Sequence, residues 1–394
     1  MMRGYLIGKN YWSLKILLVA LAIFAPASNA AWEFNGPAGA FVTDFALAPS
    51  NPALVLATAA GANEGIWYSD ISGNPTTWTR RISSQPYDGA AMQANAFDFM
   101  LAGVRNGEIE VSTDRFVNRG PTAGGDSNLS WIIEYAPSEP DTVYAAGHTP
   151  SVPDGILQKS TDSGNNWVTS DIGGDANPPT FSLAIAPTDV NTVYVGAQPA
   201  GASNGLYKST NGAISWSYLS ALNFPRVDAV AVDPVDLDYV YAGTTNSGLI
   251  QRSVDGGANW VVLHDPSNGG VAGFAGVSGL AINPADRRII YAVGGIGSTR
   301  IIVSTDCGVS WANVDETGLD TSEPDKVVID PINDYVMVRM NSGFMYREAL
   351  RTDATDDCDA STRSSGSGSS FDFLLLGMLM LIGIVRYRKS LISA

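Results

Sequence analysis

The chain has 394 residues, with 39 acidic against 23 basic side chains, 41 glycines, two cysteines and two histidines. So acidic a surface repels a phosphate backbone, and nucleic acid is excluded as an expected partner. Two cysteines cannot build a paired-cysteine metal cluster and His148 and His264 do not make a zinc site, so no metal and no cofactor are expected.

In chain order the first segment carries Arg3, Lys9 and Lys15, then an apolar run from Ile16 to Ala25, then Pro26 and Ser28-Asn29-Ala30. A basic start, a short greasy core and small residues where a peptidase reads make residues 1–30 a secretory signal peptide. The apolar run is well short of the ~20 residues a membrane span needs. Export permits a disulfide, and Cys307 with Cys358 are enough for one bridge; nothing in the sequence brings the two together.

The mature chain then opens with AWEFNGP, an extended stretch headed by Trp32. After it a unit of four apolar runs repeats. FVTDFALAPSNPALVLATA, SWIIEYAPSEPDTVYAAG, TFSLAIAPTDVNTVYVGA, VDAVAVDPVDLDYVYAGT, VSGLAINPADRRIIYAVG and DKVVIDPINDYVMVRM each read as two strands around a Pro-centred turn. A third run leads into an octet and a fourth follows its tryptophan. The octet S-x-D-x-G-x-x-W is complete in Ser160-Asp162-Gly164-Trp167, Ser253-Asp255-Gly257-Trp260 and Ser304-Asp306-Gly308-Trp311. Ser209-Asn211-Trp216 keeps the ends but has Asn for the acid and Ala213 for the glycine, while the copies at Ser69 and Ser112 are eroded. The six serines lie 43, 48, 49, 44 and 51 residues apart, the range of propeller blades.

Four strands per repeat make one blade. Residues 324–349 supply three further strands and stop, which leaves a seventh blade one strand short. Residues 31–35 are expected to fill that place. The expected fold is therefore all-β: a seven-bladed β-propeller of four-stranded antiparallel blades over residues 31–350, its ring closed by the N-terminal strand. Closure leaves no large open edge, and a monomer is expected.

Beyond the propeller, residues 351–370 are rich in Asp, Ser and Gly and read as a flexible linker. Residues 371–394 carry FDFLLLGMLMLIGIV followed by Arg386, Arg388 and Lys389. A short apolar helix with basic residues behind it is expected to anchor the chain in a membrane, its tip inside.

The octet resembles the Asp-box, or BNR repeat, of sialidases, sortilin-type receptors, xyloglucan-cleaving glucanases and photosystem II assembly factors. The tail resembles the GlyGly-type sorting tails of bacterial envelope proteins, although Gly366 and Gly368 are separated by a serine. The first resemblance implies a propeller and little about activity, since such relatives do different things on one scaffold. The octet residues are expected to be structural: Asp accepts from unpaired turn N–H groups, Gly supplies left-handed geometry, and Trp packs over the loop. Three to five oxygens per octet are too few for a preformed calcium site.

In this family a ligand would meet the opposite face, at the loops entering each first strand and between second and third strands. Here these include Asp44, Tyr87-Asp88, Arg119, Glu134, Arg226, Asp228, His264-Asp265 and Asp325, and the loops AAGHTPSVPDG, with His148, and GAQPAGASNG. Small and polar, they look suited to contact and not to enclosing a deep pocket. A sialidase needs an arginine triad and an Arg-Ile-Pro motif; the motif is absent, and Arg119, Arg226 and Arg339 are not identifiable as a triad. A glucanase needs two facing carboxylates, for which Asp44, Asp228 and Asp325 are the candidates, but such enzymes carry two propellers. A photosystem-type assembly factor is expected to show a basic patch, which this chain lacks. The expected function is that of an exported cell-envelope propeller, a non-catalytic binding or scaffold module for a protein or polysaccharide. The alternatives are a glycan-active hydrolase, xyloglucanase-like or sialidase-like, or a photosystem-type assembly factor.

Overall fold

A computed structural model describes residues 31–48, 54–69, 77–83, 85–92, 100–104, 108–118, 122–123, 130–148, 155–172, 178–199, 205–222, 224–295, 297–351 and 358. The expected signal peptide, most of the linker and the apolar tail lie outside the described residues. Among those described, no helix is long and apolar enough to cross a membrane.

Among the described residues, twenty-eight strands form seven four-stranded antiparallel sheets. The inner strands are Phe41–Leu47, Tyr87–Met92, Ser130–Tyr135, Thr180–Ile185, Ala229–Val232, Gly279–Ile282 and Pro324–Asp330, here numbered as blades 1 to 7. Each packs against the next through blade 7, and the ring closes where Phe41–Leu47 of blade 1 meets Tyr335–Met340, the second strand of blade 7. The seventh sheet takes its fourth strand from the N-terminus, with Glu33 opposite Arg347 and Phe34 opposite Tyr346. Trp32, just before that strand, is buried and donates from Nε1 to the Asp315 carbonyl of blade 6 at 2.9 Å. Gly318 is required there: its φ is +100°, and a Cβ would lie 2.3 Å from the Trp32 carbonyl oxygen.

The core lies between blades. The second strands are fully buried runs such as VYVGA and VYAG, because adjacent sheets cover both of their faces. Their tyrosines, Tyr144, Tyr194, Tyr241 and Tyr291, are almost fully buried and recur once per blade in blades 3 to 6.

The octets are tight turns of one design. In blade 5 the buried Ser253 Oγ accepts from the Gly257 N–H at 2.7 Å and donates to Asp255 Oδ1 at 2.8 Å. Asp255 in turn accepts from the Asn259 backbone and side-chain N–H groups at 2.8 and 2.7 Å. Blades 3 and 6 repeat this pattern at Ser160 and Ser304. The fourth and fifth octet residues both take positive φ, 68° and 98° at Gly256 and Gly257. The eroded copy at Ser112 keeps the turn too: Ser112 Oγ accepts from the Phe116 N–H at 2.7 Å, with Arg115 and Phe116 both left-handed.

The fourth octet residue is also where blades meet. Gly256 donates its N–H to the Asp238 carbonyl of its own blade, and its carbonyl accepts from Tyr194 Oη and Lys208 Nζ of blade 4. Cys307 does the same one blade on, donating to Arg288 O and accepting from Tyr241 Oη and Arg252 Nη1. Cys307 is further bonded to Cys358, Cα to Cα 5.4 Å, so the chain leaving blade 7 is stapled to the octet face of blade 6.

Two stability outcomes follow. Trp32→Ala should cost about 3–5 kcal/mol in denaturant unfolding, the range for a large buried ring; an unchanged midpoint would mean the N-terminal strand does not close the ring. Ser253→Ala should cost about 1–3 kcal/mol, since it leaves a buried N–H unpaired, and more than Asp255→Ala, whose acceptors face solvent.

Candidate functional site

The inner strands surround a cavity of about 480 Å³ on the ring axis, and Asp44, Asp228 and Asp325 all line it, together with Asp88 and Glu134. The carboxylates singled out in the sequence therefore converge on one place, and the axis holds a real cavity where the short loops suggested only a contact surface. What holds each carboxylate limits its chemistry.

Asp44 joins three blades. Its Oδ1 accepts from the Phe45 N–H at 2.8 Å and from Lys326 Nζ of blade 7 at 2.5 Å, and its Oδ2 accepts from the Ala90 N–H of blade 2 at 2.8 Å. Asp325 is gripped by both arms of Arg339, whose remaining nitrogen donates to the Thr43 carbonyl of blade 1. Burial pushes the Asp325 carboxyl above its ordinary value, and Arg339 opposes that shift. Asp228 takes Arg226 Nε at 2.5 Å on one oxygen, and the Thr245 N–H and hydroxyl at 2.8 and 2.9 Å on the other. Arg226 is itself stacked 3.8 Å above the Phe181 ring. All three candidate acids are ion-paired, with their lone pairs directed at fixed donors.

Glu134 is different. Its carboxylate makes no hydrogen bond among the described residues, and it lines the channel. Aligning the blades on their Ala-Pro, Asp-Pro and Asn-Pro turns puts Ala46, Ala184, Ala231, Ala281 and Val328 at its position in blades 1, 4, 5, 6 and 7. Blade 3 alone among these places a charge at that depth. Glu134 is open to the channel, but the surrounding inner strands crowd it, and this desolvation pushes its carboxyl up to about 7. Lys326 draws the value down and Asp44 raises it. The sequence places Glu134 with the entry loops; the strand Ser130–Tyr135 puts it near the inner end instead, next to the Pro137 turn.

His264 is packed, with both ring nitrogens engaged. Its Nδ1 faces the Gly248 carbonyl at 2.8 Å and its Nε2 accepts from the Val271 N–H at 2.9 Å, which makes Nδ1 the protonated nitrogen. Burial lowers its pKa. His148 ends the strand Val143–His148, its side chain lies outside the described set, and so does all of Arg119. Arg226 and Arg339 are bound to different aspartates. Lys326 was missed in the sequence, though the same turn alignment sets it in register with Asp44.

No family model matches the chain. A xyloglucanase of a Paenibacillus species is 35% identical over 119 residues, 28% of this chain, and the chain spans only 11% of that enzyme's length. Among solved structures an ancestral GH74 enzyme superposes with a TM-score of 0.63 at 17% identity, over 82% of this chain and 46% of the other. YCF48 bound to D1 peptide gives 0.59 at 17% identity, over 82% and 98%. At such identities the likeness is one of fold.

The raised carboxyl has a signature in stability. A carboxyl whose folded pKa exceeds its unfolded value stays protonated while the unfolded chain ionises. Folding is thus penalised progressively as pH rises from about 4.5 towards 7, and the penalty is constant above. Glu134→Gln should match the parent at pH 4 and melt higher at pH 8, as thermal scans across that window would reveal; an equal difference at both pH values would place the Glu134 pKa in the ordinary range.

Proposed function

We propose that this chain is an exported propeller of the cell envelope that binds a protein or glycan at its channel mouth without cleaving it. The observation that carries this reading is the state of the inward carboxylates. Glycoside hydrolysis needs one acid that holds a proton and one carboxylate free to act as base or nucleophile. Glu134 meets the first requirement, but Asp44, Asp228 and Asp325 are each tied to a cation and to further donors. Such pairs shape a rigid polar mouth, able to orient hydroxyls or amides, and offer no unencumbered base. A protein partner is supported by the fold likeness to a propeller solved with a bound peptide. A glycan is supported by the sequence match to a xyloglucanase. The signal-like first 30 residues and the apolar tail support export and retention at a membrane.

Hydrolysis is the second reading, favoured by Glu134 alone. Incubation with xyloglucan and a reducing-end assay separates the two. The binding reading expects retention on an immobilised glycan or protein panel with no new reducing ends. Release of reducing ends that Glu134→Gln abolishes would replace it with the hydrolase reading.

A further inference from the structure

The junction between blades 3 and 4 departs from its neighbours. Three residues after each octet tryptophan, blades 4 and 5 carry Leu219 and Leu263, and these pack onto the octet glycine of the following blade. A Cβ on Gly257 would meet Leu219 Cδ1 at 2.6 Å, and one on Gly308 would meet Leu263 Cδ1 at 2.6 Å. At the 3–4 junction both partners have changed: the leucine position holds Ser170 and the glycine position holds Ala213. The alanine methyl takes some of the leucine's space and Ser170 Oγ donates to the Ala213 carbonyl. Trp216 follows the change. Its Nε1 donates to Ser170 Oγ at 2.9 Å, whereas Trp167, Trp260 and Trp311 donate to the fifth residue of their own octets.

The exchange does not fill the space. A cavity of about 450 Å³ opens there, with Ser170 and Ala213 in its lining and Val168 and Ile214 beside them. Those two are the most exposed large apolar side chains described, at 72% and 83%. Val168–Ser170 is the outermost strand of its sheet, an edge able to accept another strand. Asp162 and Asp171 also border the cavity. The Asp162 carboxyl is held below its ordinary value by the Asn166 side-chain amide, so it keeps its charge. Lys159, the lining cation, lies with Nζ 5.4 Å from the centre of the Tyr144 ring.

We propose that this junction docks an extended, basic segment of a partner protein, which adds to the Val168–Ser170 edge and inserts one bulky aliphatic side chain where the neighbouring blades use their own leucine. Main-chain pairing at the edge supplies attachment, and the cavity selects the side chain. The acidic rim, in a chain of net charge −16, fits a segment with lysines on either side of that residue. This site is separate from the channel mouth.

The test uses the full-length chain in detergent and two labelled peptides, acetyl-Lys-Thr-Leu-Thr-Lys-amide and its counterpart with glycine for leucine, read by fluorescence anisotropy. The leucine peptide should bind at least tenfold more tightly than the glycine peptide. The double variant Ser170→Leu, Ala213→Gly rebuilds the neighbouring junctions, and should melt no lower than the parent while losing the peptide by tenfold or more. Should that variant fail to fold, Val168→Lys, on an exposed rim position, removes an apolar contact and sets a like charge against the peptide's lysines, and should weaken the leucine peptide by a similar factor. No binding of either peptide at millimolar concentration, equal binding of both, or binding undiminished in the variants would overturn the proposal.

Discussion

One peptide unit per blade carries much of this architecture: the fourth residue of the octet. In blades 3 to 6 its N–H binds the turn between the first two strands of its own blade, and at Gly256 and Cys307 its carbonyl also binds the tyrosine and cation of the blade before. A left-handed backbone is needed to aim both groups outward from the turn, which explains two successive positive φ values. The serine and aspartate then satisfy the donors that this conformation strands. Conserving the turn is therefore a condition for joining blades, and the eroded copy at Ser112 meets it with Phe116 buried in the glycine's place.

A closed ring has one weak point, where its first and last strands pair. Here the last sheet is completed by the first strand, so opening the ring means peeling Glu33–Phe34 from Met345–Ala349 and withdrawing Trp32 from its pocket. Two backbone pairs alone would hold poorly. The buried indole and its bond to Asp315 make the closure a tertiary one, and the Cys307–Cys358 bridge holds the departing chain across the adjacent blade. Both ends of the propeller segment are thus committed to the junction of blades 6 and 7.

The repeat, the blade count and the shared seventh sheet were legible in the sequence because each is a matter of spacing: alternating runs, Pro-centred turns and serines at intervals in the forties. The channel was legible only in part. Asp44, Asp228 and Asp325 stand out as acids near strand starts, and they do converge. Their ion pairs with Lys326, Arg226 and Arg339 depend on how inner strands lie against one another round the axis, and spacing along the chain does not encode that. Glu134 was visible as a residue but not as an exception; its meaning comes from the alanines that stand at its level in other blades.

Departures from a repeat become informative once the octet's link between blades is understood, because the repeat says what each position must do for its neighbour. Ala213 in place of an octet glycine looks like erosion when read alone. Set beside Ser170, it is one half of an exchange across a blade junction, since a leucine facing a Cβ at that point would overlap it by the 2.6 Å approach found at Gly257 and Gly308. The exchange keeps the hydrogen-bonded frame, with Trp216 re-aimed to Ser170, but gives up apolar packing that the junctions of blades 4 with 5 and 5 with 6 retain. A junction that satisfies its polar groups while leaving a cavity between two exposed aliphatic side chains is shaped for something that the chain does not itself provide.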